Sequence, residues 1–167
     1  MHPFIDRMAL RNSVNAALQR AGVYANSVDS RLKREFKERA KAWLVAFVDD
    51  YDRATISEDA WCSAIDSLSR ALSKEFCPYL RDERVKLGVS QKMISLYLKY
   101  RWLLGEVKKK PLFAVLDRGV MQTAGVVNAP NWTQLDERDE YLRIVRALDV
   151  FAKSRGHIDG ACWEAEE

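Results

Sequence analysis

The sequence predicts an all-α domain, and three observations predict it. Apolar residues recur every three or four positions along several long stretches. Turn-forming glycine and proline fall between those stretches. No second alternating run stands ready to pair with the one short apolar run that reads as a strand. The elements follow in order. A first helix spans about Phe4 to Ala21 and is stopped by Gly22. A second spans about Asp29 to Arg53, with Leu32, Phe36, Ala40, Trp43, Phe47 and Tyr51 on one stripe and Asp29 or Ser30 as its cap. Ser57 opens a third, followed by Glu58 and Asp59, whose charges suit the positive end of a helix dipole. Trp61, Ala64, Ile65, Leu68, Leu72 and Phe76 form its buried face, and Pro78 ends it.

An irregular piece, Tyr79 to Leu87, leads to Gly88. The fourth helix then runs from about Ser90 to Leu104, before Gly105. It is apolar around more than half its circumference, which places it at the centre. A lysine-rich loop with Pro111 follows, then a short helix from about Leu116. Gly125, Pro130 and Asn131 mark a further loop. Thr133 and Asp136 have the spacing of a capping box and open the last long helix, to about Ser154. One more turn surrounds Trp163 in the tail.

The 167 residues suffice for one domain with its own core, so residues 1–167 read as a single multi-helix unit. Apolar residues make up 48% and charged residues 31%, too apolar a balance for a disordered chain. No run approaches the roughly 20 apolar residues of a membrane helix. The start of the chain carries Asp6 and lacks the apolar segment of a secretory signal. A cytoplasmic protein is expected, associated with the nucleoid where it binds DNA. Cys62, Cys77 and Cys162 are widely spaced and read as reduced thiols. His2 and His157 have no second ligand at helical spacing, so neither a metal nor a cofactor is expected.

The net charge of +3 does not point to a polyanion, but its distribution is uneven. Arg31, Lys33, Arg34, Lys37, Arg39 and Lys41 cluster against Glu35 and Glu38. Lys108, Lys109 and Lys110 form a second block, and Glu164, Glu166 and Glu167 make the end acidic. Basic patches of this kind neutralise phosphates, or simply form a solvated helix face.

Chemistry concentrates between Gly88 and Asp117. Gly88-Val89-Ser90-Gln91-Lys92 opens the central helix, and Pro111-Leu112-Phe113-Ala114-Val115-Leu116-Asp117 brings an aspartate after an apolar run. This segment resembles the helix-hairpin-helix DNA glycosylases, in particular the lysine-bearing branch that includes the 8-oxoguanine enzymes. The resemblance covers about 30 residues. It implies a helix-hairpin-helix-like turn before the central helix, with Gly88 and Ser90 on the two hairpin glycines. It implies Lys92 as nucleophile and Asp117 as its partner.

Cleaving an N-glycosidic bond builds positive charge on the sugar, which a carboxylate stabilises. An amine attacking C1′ divides one hard step into two easier ones. The amine must be neutral to attack, which calls for burial or a cationic neighbour. Lys99 is two turns along, about 10 Å by helix rise, so burial has to do most of this. A duplex substrate would have its base flipped out, with Gly88, Ser90, Gln91, Lys99 and Lys108 to Lys110 contacting the strand. Tyr97, Tyr100, Trp102 and Phe113 are candidates to stack on the extruded base. Lys92 and Asp117 should then face each other, roughly 3 to 6 Å apart. The alternatives are a non-catalytic helical module that binds nucleic acid or a protein partner, and a small regulatory component of a phage or bacterial defence or counter-defence system. In the first of these, Lys92 and Asp117 point apart or form only an exposed ion pair.

Overall fold

In the computed structural model, residues 3–126 and 129–166 are described, the side chains of Pro3, Ala165 and Glu166 excepted. His2, Glu167 and the side chain of Glu166 lie outside the described residues. Among the described residues seven α-helices follow one another: α1 (Pro3–Leu18), α2 (Ser30–Arg53), α3 (Glu58–Phe76), α4 (Leu87–Leu103), α5 (Arg118–Thr123), α6 (Arg138–Ser154) and α7 (Gly160–Glu166). Short 3₁₀ turns stand at Cys77–Tyr79 and Trp132–Gln134. Among the described residues the only β-type pairing is a single bridge between Tyr24 and Leu80. No described helix is long and apolar enough to cross a membrane.

Local chemistry starts the helices where the sequence reading put most of them. The Asp29 carboxylate accepts from the Arg31 N–H at 2.5 Å, and the Ser57 hydroxyl from the Ala60 N–H at 3.2 Å. Both caps satisfy donors that a first helical turn leaves open. The α3 stripe is buried at Trp61, Ile65, Leu68, Leu72 and Phe76, with Ala64 partly so. On α2 the buried face is Phe36, Ala40, Leu44, Val48 and Tyr51, so Leu32, Trp43 and Phe47, expected there, lie at its partly exposed edge.

Helix α4 is the hub. It packs against α1, α2, α3 and the Trp132 turn, most extensively against α1. Small buried residues, Ala9, Ser13 and Ala17 on α1 and Ser90 on α4, suit this close pairing. Beside α4 lies an aromatic cluster. The Trp61 indole N–H donates to the Tyr141 hydroxyl at 2.8 Å, and the Phe113 ring meets both rings edge-on. Phe113 belongs to the buried run Phe113–Leu116, which is neither helix nor strand.

Helix α1 ends at Leu18 rather than Ala21, and α5 starts at Arg118 rather than Leu116. Two further helix starts differ from expectation for one shared reason. Helix α4 starts at Leu87 rather than Ser90, and α6 starts at Arg138 rather than Thr133. Thr133 belongs to the 3₁₀ turn, and Asp136 closes no capping box with it. Instead the Asp136 carboxylate accepts the Leu87 N–H at 3.2 Å and pairs with Arg84. The Leu135 carbonyl accepts the Gly88 N–H at 2.8 Å. The segment before α6 therefore caps α4, and in doing so adds a turn to it. Gly88 to Gln91 lie inside that first turn, so they do not form a hairpin of their own. The chain turns earlier, across residues 81–84, where Glu83 has a positive φ of 56°.

Candidate functional site

Lys92 sits in the second turn of α4, and Asp117 is the N-cap of α5. The fold brings them together. Lys92 Nζ lies 3.5 Å from Asp117 Oδ2, within the separation expected of a working pair. The lysine side chain is only 11% exposed, while the aspartate is 38% exposed. The amine is thus largely enclosed, with its carboxylate partner on the solvent side.

Lys92 Nζ is also 4.3 Å from the centroid of the Trp132 ring, which is itself buried. The same 3₁₀ turn that caps α4 therefore forms a wall of the site. Burial pulls the Lys92 pKa below its ordinary value; Asp117 opposes that shift, and the Arg20 guanidinium adds to it. Enclosure, as expected, dominates, although the cationic neighbour is Arg20 of the α1 end rather than Lys99.

Asp117 is held in two ways. Its Oδ1 accepts the Val120 N–H at 3.0 Å, leaving Oδ2 for Lys92. Its backbone approach is set by Gln91, one residue before Lys92. The Gln91 amide N–H donates to the Leu116 carbonyl at 2.9 Å, and Gln91 Oε1 accepts the Leu116 N–H at 3.3 Å. Gln91 is fully buried, so both bonds are sheltered from water. It was expected to contact nucleic acid; its place is between the two halves of the site. Gln91→Met keeps the volume and deletes the clasp, leaving the Leu116 N–H and carbonyl unpaired. A loss of about 3 kcal/mol is expected, read from the urea denaturation midpoint. A midpoint equal to that of the parent protein would show that the clasp contributes nothing.

A second acid–base pair adjoins the first. Lys99 Nζ donates to Glu164 Oε1 at 2.5 Å and to the Glu164 carbonyl at 3.0 Å. Both side chains are mostly buried, at 16% and 13% exposure. Burial raises the Glu164 pKa, with Lys99 and the Val115 backbone N–H working against it. Glu164 is close enough to act on Lys92 electrostatically. Sequence reading missed this residue as part of the site. Its acidic tail was legible, but nothing local joins Glu164 to Lys99, since α7 reaches α4 only through the tertiary fold.

The other expected nucleic-acid contacts are placed differently. Gly88 and Ser90 are buried, and the Gly88 N–H is taken by Leu135. The first turn of α4 thus does not present the open phosphate cradle expected of it. Lys99 is occupied by Glu164. The Lys108 and Lys109 backbones are tied to Asp52, the Lys109 amine donates to the Ala54 carbonyl at 2.8 Å, and Lys110 pairs with Asp159. Tyr97 and Phe113 are buried in the core, whereas Tyr100 and Trp102 are partly exposed.

Neither Lys92 nor Asp117 lines the hollow of about 260 Å³ beside α5. Arg118, next to Asp117, and Asn131, next to Trp132, line it with Met121 and Gln122. Three larger concavities, of about 760, 730 and 420 Å³, include neither Lys92 nor Asp117. Cys62, Cys77 and Cys162 are free thiols. Among the described residues no three His, Cys, Asp or Glu side chains converge as metal ligands would. No protein-family model, curated protein or solved structure matches the chain.

Proposed function

We propose that Lys92 and Asp117 form the reactive pair of a lysine-dependent N-glycosylase/lyase acting on a damaged or modified base in DNA. One observation carries this reading. An enclosed amine, its pKa lowered by burial, lies 3.5 Å from a carboxylate that is open to solvent. A lowered amine pKa beside an accessible proton acceptor is what an activated lysine nucleophile requires. In the reaction, the neutral Lys92 amine attacks C1′. The C1′–N bond breaks, and its electron pair leaves with the base, which takes up a proton. Asp117 stabilises the positive charge on the sugar and accepts the proton that the attacking nitrogen sheds. Asp117 then gives that proton to O4′ as the C1′–O4′ bond breaks, and the ring-opened sugar is left as a protonated Schiff base between Lys92 and C1′. The Trp132 ring, stacked by the amine, limits how Lys92 can approach. The sequence resemblance of Gly88–Asp117 to lysine-bearing glycosylases supports the same reading.

Borohydride reduces such a Schiff base to a stable amine. Incubation with duplexes carrying an abasic site or 8-oxoguanine is expected to give a covalent adduct. It should disappear in Lys92→Ala and persist in Lys99→Ala. A folded protein that gives no adduct on the abasic duplex, or one that keeps it in Lys92→Ala, would sink the proposal.

A second reading has its own observation. A groove of about 760 Å³ between α1 and α2 is lined by Met8, Leu10 and Val45 beside Arg7, Arg11 and Lys41. It favours a binding module that engages a protein partner. Salt-sensitive DNA binding without adduct formation would instead favour a module that holds nucleic acid.

A further inference from the structure

The C-terminal end of α4 borders a cavity of about 730 Å³, within the range of small-molecule sites. Its wall includes Trp102, ten residues along α4 from Lys92 and hence about 15 Å away by helix rise. The lysine-rich loop and residues 111–113 form one side; α6 and the turn before α7 form another.

The charges lining it do not cancel. Three carboxylates face it, Glu58, Asp149 and Asp159. Glu58 and Asp159 are each paired with a cation, whereas Asp149 accepts only a neutral N–H among the described residues and keeps its charge, which Lys108, Lys109 and Lys153 together outweigh. Glu58 pairs with Arg146 at 2.6 Å, Asp149 accepts the Gly160 N–H at 2.8 Å, and Asp159 pairs with Lys110 and accepts the Cys162 N–H at 3.0 Å. Four lysines face it, Lys108, Lys109, Lys110 and Lys153. Lys110 is neutralised by Asp159, and Lys109 donates only to a neutral carbonyl. Among the described residues, Lys108 and Lys153 form no ion pair. The loop itself is not free to fold its cations away. Asp52 accepts the Lys108 and Lys109 N–H groups at 2.9 and 3.3 Å, and the Tyr51 hydroxyl donates to the Lys110 carbonyl at 2.7 Å.

The apolar side of the cavity matches that excess. Trp102 is partly exposed, and Pro111, Leu112 and Ile56 stand with it. Among the described residues its ring has no aromatic or cationic partner. An anion with a flat, apolar body fits both halves: a ring stacked on an indole and a phosphate between ammonium groups.

We propose that this cavity binds a nucleoside phosphate, its base against Trp102 and its phosphate between Lys108 and Lys153. The site is separate from the Lys92–Asp117 pair and does not depend on that pair being catalytic. The same chemistry has two sources, a free nucleotide or one nucleotide of a single strand. Isothermal titration calorimetry with ADP and with a short oligothymidylate distinguishes them. Whichever probe binds, Lys108→Ala/Lys153→Ala is expected to weaken it about tenfold or more, and Trp102→Leu comparably. Arg70→Ala/Lys74→Ala, which removes as much charge from the exposed surface of α3, should bind as the parent protein does. Binding of ADP assigns the cavity to a free nucleotide; binding of the oligomer alone assigns it to a strand. Neither probe binding, or binding that falls equally in the α3 control, overturns the proposal.

Discussion

Gly88→Ala is expected to destabilise the protein by about 3 kcal/mol, a large fraction of the stability of a domain this size. A Cβ at Gly88 would stand 1.8 Å from the Trp132 carbonyl oxygen and 3.2 Å from Leu135 Cβ. The first of these is backbone, so no rotamer change relieves it. Either α4 or the Trp132 turn has to move. Moving the turn stretches the bond from the Gly88 N–H to Leu135 and the one from the Leu87 N–H to Asp136. It also lifts the Trp132 ring away from Lys92. Gly105→Ala is the comparison: its φ is +72° but a Cβ there meets nothing, so only backbone strain of about 1 kcal/mol applies. Urea denaturation of both variants checks the ranking. Equal losses would mean that the turn is not seated against α4 as described.

Asp117→Asn should separate the two jobs of that residue. Asparagine caps a helix about as well as aspartate, so the bond to the Val120 N–H and the stability should survive. The reaction should not. Loss of a charge that stabilises the transition state is expected to slow single-turnover cleavage of an abasic duplex by about 10²-fold. The pH profile adds an independent sign. The rate should rise with pH as Lys92 loses its proton. Asp117 holds that proton on, against the burial that drives it off. With Asn at 117 the midpoint should therefore move to lower pH. A variant that keeps the parent rate and midpoint would leave Asp117 as a cap and nothing more.

How much of this was legible depended on how local the cause was. The caps at Asp29 and Ser57 act within three residues, and both were readable from residue type and position. The stripe of α3 was readable because it repeats over several turns of one helix; on α2 the aromatic Trp43 and Phe47 drew the stripe one position away from Leu44 and Val48, which are the buried pair. The start of α4 was not, because its first donors are satisfied by Leu135 and Asp136, far along the chain. A Thr133–Asp136 pair looks like a capping box until the partner of Asp136 is known. The meeting of Lys92 with Asp117 followed from the motif, but the means did not. Gln91 stood in the motif as a surface residue and proved to be a buried strut. Glu164 and Trp132 carry no local mark that ties them to Lys92.

Gln91 grips only the main chain of Leu116, one bond on each side of a single residue. Its amide takes the place that a neighbouring strand would hold, and it is indifferent to which apolar side chain stands at 116. Variation among relatives of this chain should follow that distinction. Substitutions at 116 among residues of similar volume should be common. A one-residue insertion between 116 and 117 should be absent, because it would carry the carboxylate about 3.5 Å along an extended chain and out of reach of Lys92. Changes of length in the lysine-rich loop, upstream of the clasp, leave the register of Asp117 as it is.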